Sequence, residues 1–233
     1  MAIFFYIWYN ENGVIIMDNI EAVVFDMDGL MFDTEKLWLD SVIKTNEVYK
    51  YKVPTSLIIE CMGKRKDAID AKLKEEMGEG FDPDEFRRLN KKFMAQEVLE
   101  NGLQIKKGLK ELISFLKSKN IKIAIASSSS FEKIHTRFGE ANLDIKVFDY
   151  IIGGDMVTIP KPDSQIYLKS CEVLNVKPEN AIALEDSDSG IKAAASAGMK
   201  AILIPDIKEP SEETVRLAYK KLDNLLEVID LWK

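Results

Sequence analysis

Five short runs of apolar, largely β-branched residues recur along the chain, and most are continuous rather than alternating with polar residues. They occupy residues 21–25, 121–126, 150–152, 181–184 and 200–204. Strands that are apolar on both faces are typical of a parallel sheet with helices packed on each side. The runs therefore predict the strands of one parallel sheet.

Helical patterns occupy most of the intervals between these runs. Leucine and isoleucine residues between positions 109 and 116 recur at i, i+3, i+4 and i+7, and apolar residues also recur within 166–174 and 189–198. Strands that alternate with helices, joined by right-handed crossovers, predict an α/β fold. We expect a doubly wound, Rossmann-like parallel-sheet core.

The interval 34–103 interrupts this alternation. It contains no convincing strand and several charged, amphipathic segments, so it predicts an α-helical cap domain inserted into a core formed by 1–33 and 104–233. An insertion after the first strand lies above the carboxyl end of that strand, where open α/β sheets bind their ligands.

Composition and the chain start limit the function classes. A chain of 233 residues, 46% hydrophobic and 30% charged, can bury a large core and a smaller one. Its net charge of -7 argues against nucleic-acid and membrane-surface binding.

Residues 2–9 are apolar but too short to span a bilayer and lack signal-peptide flanks. Residues 1–16 are either an upstream extension or an added edge strand.

The two cysteines indicate a reducing compartment. Cys61 and Cys171 are 110 residues apart and belong to no CxxC or Cys/His grouping. We expect a cytoplasmic monomer that binds neither nucleic acid nor membranes.

Polar residues follow four of the predicted strands, and each would lie at the same edge of the sheet. They are Asp26 and Asp28, the serine run 127–130, Lys161, and Glu185 with Asp186. Each alone is more typical of a turn, a loop or a surface charge. In an extended segment the two carboxylates at 26 and 28 share one side and repel by ~4 kcal/mol at ~4 Å and an effective dielectric of ~20. Together these groups indicate a site that a cation must complete.

Four segments in order, "FDMDGLMFDTE", "IAIASSS", "KPD" and "LEDSDSG", resemble the four motifs of the haloacid dehalogenase-like phosphohydrolases with an inserted helical cap. The resemblance spans residues 19–231. Within that family the chain is similar both to β-phosphoglucomutases and to phosphatases of sugar phosphates or pseudouridine 5'-phosphate.

The resemblance implies a catalytic role for each aspartate of the first motif. Asp26 would attack phosphorus and form an aspartyl phosphate, and a carboxylate needs no base for this because it is already ionised at neutral pH. Asp28 would protonate the leaving oxygen and then take a proton from water. Mg2+ would be held by Asp26, by Asp186 and by the backbone carbonyl of Asp28, with Glu185 adjacent.

The remaining implied roles concern binding of the phosphoryl group and of the rest of the substrate. Lys161 would neutralise the nucleophile and the phosphoryl oxygens. The Ser127 hydroxyl and backbone amides near Met27 and Ser128 would hold those oxygens. In the cap, Gly63 would allow a tight loop, and Lys64 or Arg65 would contact the non-reacting part of the substrate.

Three function hypotheses follow. The leading one is a Mg2+-dependent phosphomonoester hydrolase, whose partner would be a small phosphorylated metabolite. The second is a phosphosugar mutase that uses the same intermediate. The mutases have a histidine five residues after the aspartate that ends the first motif, where this chain has Trp38. The third is a phospho-aspartate signalling or binding protein, which the four motifs and the inserted cap disfavour.

Overall fold

A six-stranded parallel sheet forms the centre of the computed structural model, which describes residues 19–63 and 66–233. Its strands are β1 (Ala22–Phe25), β2 (Lys122–Ala126), β3 (Tyr150–Ile152), β4 (Ala181–Glu185), β5 (Lys200–Leu203) and β6 (Lys220–Lys221), in the spatial order β3-β2-β1-β4-β5-β6. All five predicted runs form strands. β6 is an edge strand of two lysines, which no hydrophobic pattern indicates.

Nine α-helices complete the described part of the chain, in addition to three 3-10 helices of three residues and one of eight, Leu225–Trp232. The α-helices are α1 (Thr34–Tyr49), α2 (Thr55–Cys61), α3 (Lys66–Met77), α4 (Pro83–Asn101), α5 (Leu109–Ser118), α6 (Phe131–Glu140), α7 (Gln165–Leu174), α8 (Asp188–Ser196) and α9 (Glu212–Leu217). The predicted leucine stripe is the inner face of α5, where Leu109, Leu112 and Leu116 are fully buried.

The sheet is covered on both faces, as the apolar runs predict. Val23 and Phe25 of β1 belong to one hydrophobic cluster, whereas Ala22 and Val24 of the same strand belong to another. Because successive side chains of a strand point to opposite faces, these two clusters lie on opposite sides of the sheet. The doubly wound α/β class is confirmed.

Helices α1 to α4 form what we call the helical segment, residues 34–101, with a hydrophobic cluster of its own around Phe81 and Phe86. The two connections to the sheet lie side by side: Phe32 pairs with Ile105 in an antiparallel bridge, and the Asp33 amide donates to the Gln104 carbonyl at 3.0 Å. The segment is therefore attached just beyond the carboxyl end of β1.

The extension or edge strand predicted for residues 1–16 lies outside the described part of the chain. Within the described ranges, no helix has the length and apolar character needed to cross a bilayer.

Gly190, in the first turn of α8, packs directly on the Glu185 carboxylate, and an added Cβ there would lie 1.9 Å from the Glu185 carboxyl carbon. We predict that Gly190→Ala lowers the free energy of unfolding by about 1–3 kcal/mol, the usual cost of overpacking. Urea unfolding in EDTA measures this.

The matched control is Gly139→Ala in α6, where an added Cβ meets nothing within 4 Å. Alanine should stabilise that helix by about 0.5–1 kcal/mol because glycine loses more backbone entropy on folding. Equal effects of the two substitutions would contradict the packing argument.

Candidate active site

Polar residues from the ends of β1, β2 and β4 and from the loop after β3 line one cavity of about 230 Å³ at the carboxyl edge of the sheet, and Glu185 is buried behind them. The cavity lining consists of Asp26, Asp28, Glu35, Gly63, Ser127, Ser128, Lys161, Asp186, Ser187 and Ser189. Seven of these were singled out from the sequence. We call this the active-site cavity.

Lys161 lies at its centre. Its ammonium donates to Asp26 Oδ1 at 2.6 Å, to Glu185 Oε1 at 2.6 Å and to the Ala126 carbonyl at 2.9 Å. Burial alone would lower the pKa of Lys161, but the two carboxylates outweigh it and raise the pKa above its ordinary value. The lysine is therefore charged and held by all three of its N–H groups.

Glu185 is fully buried and already hydrogen-bonded through both oxygens. Oε1 accepts from Lys161 and from the Tyr167 hydroxyl, and Oε2 accepts from the Ser187 hydroxyl at 3.1 Å. The Lys161 ammonium also lies 4.9 Å from the centre of the Tyr167 ring. These contacts suit Glu185 to hold Lys161 in place.

Tyr167 was missed by the sequence reasoning. The available signal was the position of this tyrosine in the apolar stretch 166–174. A phenol buried there requires a hydrogen-bond partner, so a nearby polar group could have been expected.

The acidic groups outnumber the cation beside them. One ligand oxygen each from Asp26, Glu185 and Asp186 lies within 4.8 Å of the others, and Lys161 is the ammonium between the first two. Burial raises the pKa of Asp26 to about 7 despite Lys161, and burial with neighbouring carboxylates raises the pKa of Asp186 well above its ordinary value. Clustered carboxylate oxygens that lack positive charge fit a hard divalent cation.

Asp186 and the Asp28 carbonyl are the oxygens left available near this cluster. In the described part of the chain, no hydrogen bond or ion pair engages the Asp186 carboxylate. The bridge that follows β1 uses the Met27 carbonyl and the Gly29 amide and leaves the Asp28 carbonyl outside it. Gly29 has φ +89° and an added Cβ would lie 2.2 Å from Asp186 Oδ2, so only glycine fits here.

The Asp28 carboxylate is held from a second direction. Ser129 Oγ donates to Asp28 Oδ2 at 2.7 Å, and the Lys133 ammonium donates to Ser129 Oγ at 3.1 Å and lies 3.8 Å from Asp28 Oδ2. The sequence reasoning did not single out Lys133 or a separate role for Ser129. Their spacing of four residues at the start of α6 is the signal that was available.

The predicted phosphate-binding residues differ in what they present to the cavity. Ser127 and Ser128 both line the cavity. Ser127 is buried and its Oγ accepts from the Ser129 amide at 3.1 Å, whereas Ser128 is exposed. The Met27 side chain is fully buried in the core, so only its backbone is suited to a ligand. Gly63 lines the cavity with φ +74°, and Lys64 and Arg65 lie outside the described residues.

Residues 23–204 match the family described as haloacid dehalogenase-like hydrolase. The chain belongs to this family. It is 36% identical over 186 residues to a phosphorylated carbohydrates phosphatase of Thermotoga maritima. The aligned region covers 78% of this chain and 84% of that protein. It is 25% identical over 222 residues to hexitol phosphatase B of Escherichia coli K12, covering 90% and 94%.

A solved structure supports the same fold. A putative β-phosphoglucomutase from Thermotoga maritima superposes with a TM-score of 0.75 at 30% identity, over 91% of this chain and 97% of that one. The predicted family, the α/β fold and the enzyme class, a phosphoric monoester hydrolase, are confirmed.

The raised carboxyl pKa values predict how stability depends on pH without metal. Asp26 and Glu35, each raised to a pKa of about 7, bind a proton more tightly folded than unfolded. Such a group stabilises the fold below its unfolded pKa, and this contribution is lost as pH rises through the folded pKa. We expect the free energy of unfolding in EDTA to fall between roughly pH 4 and 7.

Urea unfolding at several pH values in EDTA measures the slope. Asp26→Asn should make the slope shallower, because one titrating group is removed. A free energy of unfolding that instead rises from pH 5 to 7 would contradict this prediction.

Proposed function

We propose that the protein is a Mg2+-dependent phosphatase that hydrolyses a phosphorylated carbohydrate or a similar small phosphomonoester through an aspartyl phosphate on Asp26. The observation that carries the proposal is the buried Lys161 ammonium, bonded at 2.6 Å to Asp26 in a cavity where carboxylates outnumber it. Such a site attracts a divalent cation together with an anionic ligand. Phosphoryl transfer consists largely of this positioning and charge stabilisation.

In the first half-reaction, a carboxylate oxygen of Asp26 bonds to phosphorus and the bond from phosphorus to the ester oxygen breaks. Asp28, in its protonated form, gives its proton to that leaving oxygen. The Lys161 ammonium offsets charge on the nucleophile and on the phosphoryl oxygens. The Ser127 hydroxyl and the backbone amides near Met27 and Ser128 donate to those oxygens.

In the second half-reaction, Asp28, now ionised, takes a proton from a water molecule as the water oxygen bonds to phosphorus. The bond from phosphorus to Asp26 breaks, and inorganic phosphate leaves with the carboxylate restored. Ser129 and Lys133 fix the Asp28 carboxylate at the cavity edge between these two steps.

A bound Mg2+ supplies the positive charge that keeps the carboxylates ionised and offsets the phosphoryl charge. Asp26, the Asp28 carbonyl and Asp186 would hold it. Glu185 lies beside these ligands, and its hydrogen bonds to Lys161, Tyr167 and Ser187 suit it to an anchoring role.

The helical segment, as a cap of residues 34–103 over a core of 1–33 and 104–233, would close over the substrate. Its position above β1 and the contribution of Glu35 and Gly63 to the active-site cavity support this role. The buried positions of Cys61 and Cys171 and the net charge of -7 support a cytoplasmic protein that binds neither nucleic acid nor membranes, and we expect a monomer.

The mutase is the second candidate, because a neighbour in structure carries that description. Trp38 argues against it. The indole has only an N–H donor and cannot exchange a proton. Its side chain packs against the cluster of the helical segment and lines a different cavity together with Phe86 and Met94, so it is not part of the active-site cavity.

We predict that Asp26→Asn lowers kcat by more than about 10⁴-fold, because the amide is not a competent nucleophile. Phosphate release from a panel of phosphomonoesters with Mg2+ measures it. The variant should remain folded, since a neutral side chain relieves repulsion in the acidic cluster. Asp230→Asn, at an exposed ion pair with Lys233, is the matched control and should leave turnover unchanged. Turnover of Asp26→Asn within tenfold of the parent would remove Asp26 as nucleophile.

Hydrolysis should predominate over phosphoryl transfer to a sugar. We expect incubation with Mg2+, β-glucose 1-phosphate and a trace of the 1,6-bisphosphate to release mainly inorganic phosphate, because no histidine stands at position 38. Glucose 6-phosphate and phosphate are quantified separately, with Asp26→Asn as the blank. Glucose 6-phosphate as the main product would identify a mutase instead.

A further inference from the structure

Tyr167 contacts both members of the ion pair between Lys161 and Glu185. It lies in the first turn of α7 and is fully buried. Its hydroxyl donates a hydrogen bond to Glu185 Oε1, and its ring centre lies 4.9 Å from the Lys161 ammonium. A phenol is protonated at neutral pH, so the hydroxyl is a donor to this carboxylate. A phenylalanine at this position would keep the ring contact with the lysine and lose only the hydrogen bond to the glutamate.

The Lys161 ammonium has no N–H left for a ligand. Its side chain is 4% exposed, and its three N–H groups donate to Asp26, to Glu185 and to the Ala126 carbonyl. A phosphoryl oxygen in the active-site cavity can therefore accept a hydrogen bond from this ammonium only if one of the three bonds is given up. The bond that can be given up with the smallest loss decides how Lys161 binds the ligand.

Two of the three acceptors depend on Lys161. In the part of the chain that the structure describes, no other side chain donates to Asp26 Oδ1 or to the Ala126 carbonyl. Releasing Asp26 as a phosphoryl group approaches would leave two like charges facing each other without the cation between them. Releasing the carbonyl would remove the contact that ties the ammonium to the end of β2.

Glu185 Oε1 is different because it accepts two hydrogen bonds, one from Lys161 and one from Tyr167. The other oxygen, Oε2, accepts from the Ser187 hydroxyl at 3.1 Å. If the ammonium leaves Oε1, both oxygens of the buried carboxylate remain hydrogen-bonded. The carboxylate is also confined by Gly190, where an added Cβ would lie 1.9 Å from the Glu185 carboxyl carbon. Glu185 therefore stays in place, and the ammonium is the group that can move.

We propose that Tyr167 is a positioning residue whose hydroxyl holds Glu185, so that Lys161 can redirect one N–H from Glu185 Oε1 to a phosphoryl oxygen without leaving that buried oxygen unpaired. The proposal rests on the phosphatase function argued above and adds a residue to it. Tyr167 does not line the active-site cavity, so it acts through Glu185 and Lys161. Its hydroxyl should therefore matter for binding of the phosphate and little for binding of Mg2+.

The test measures the two kinds of binding separately in Tyr167→Phe. Calorimetry with the full chain gives the Kd of Mg2+ alone and then the Kd of inorganic phosphate at saturating Mg2+. We expect the phosphate Kd to rise at least about tenfold, because redirecting the Lys161 N–H now leaves Glu185 Oε1 without a donor. The Mg2+ Kd should change by less than about threefold. With p-nitrophenyl phosphate, kcat/KM should fall at least about tenfold.

Tyr51→Phe is the matched control. It removes a phenol hydroxyl in the helical segment, where the Tyr51 ring packs against Phe81 and Phe86, and it should leave both Kd values unchanged. Urea unfolding reports the stability of each variant independently of binding. A merely structural role for Tyr167 would lower stability and weaken Mg2+ and phosphate binding alike.

A double-mutant cycle tests whether Tyr167 acts through Glu185. In a Glu185→Gln background, Tyr167→Phe should change the phosphate Kd by less than about twofold, because the carboxylate that the hydroxyl holds has lost its charge. If Glu185→Gln does not fold, the difference between phosphate and Mg2+ binding in Tyr167→Phe alone decides the question.

The remaining outcomes would overturn the inference. They are an unchanged phosphate Kd in Tyr167→Phe, equal weakening of phosphate and Mg2+ binding, a tenfold effect that persists in Glu185→Gln, and no measurable phosphate binding by the parent protein. The binding measurements need no turnover. A parent protein that binds phosphate and shows the expected difference but hydrolyses no phosphomonoester would overturn the phosphatase function and leave the role of Tyr167 in anion binding standing.

Discussion

The Lys161 ammonium, buried between the carboxylates of Asp26 and Glu185, is the interaction on which the rest of the site depends. Removing three charged groups from water is costly, and such a cluster stabilises a fold only when its geometry satisfies every donor. Here each N–H of the ammonium has an acceptor, one of them the Ala126 carbonyl at the end of β2. The loop before α7 is thereby tied to the ends of β1, β2 and β4 at once, and the cavity between them keeps its shape.

One ammonium does not balance the carboxylates around it. Asp186 has no partner among the described residues, and burial keeps the pKa values of Asp26 and Asp186 high. Mutual repulsion of these carboxylates therefore makes the site electrostatically unfavourable unless a cation binds. Such a loss of stability is common at functional sites. The same imbalance makes it receptive to a divalent cation and then to a phosphate, because each neutralises the charge that the other brings.

Much of this could be predicted from the sequence because it depends on local pattern. Continuous apolar runs identified β1 to β5, and parallel strands bring their carboxyl ends to one edge, so Asp26, Lys161 and Asp186 were expected together. β6 was missed because two lysines at a sheet edge have no apolar pattern. The contacts from Tyr167 to Glu185 and from Ser129 to Asp28 were missed because they join residues far apart in the sequence, and side-chain packing in three dimensions decides them.

The structure also separates the groups suited to chemistry from those suited to selection. The groups suited to chemistry come from the strand ends of the core, whereas a second cavity of about 130 Å³ lies where the helical segment meets the loop after β5. At that junction Ile207 packs against the cluster of the helical segment and Lys208 bonds to the Met62 carbonyl. A loop and a helix start can change without disturbing the sheet edge that holds Lys161. Residues at that junction can therefore vary while the groups proposed for phosphoryl transfer stay fixed at the sheet edge.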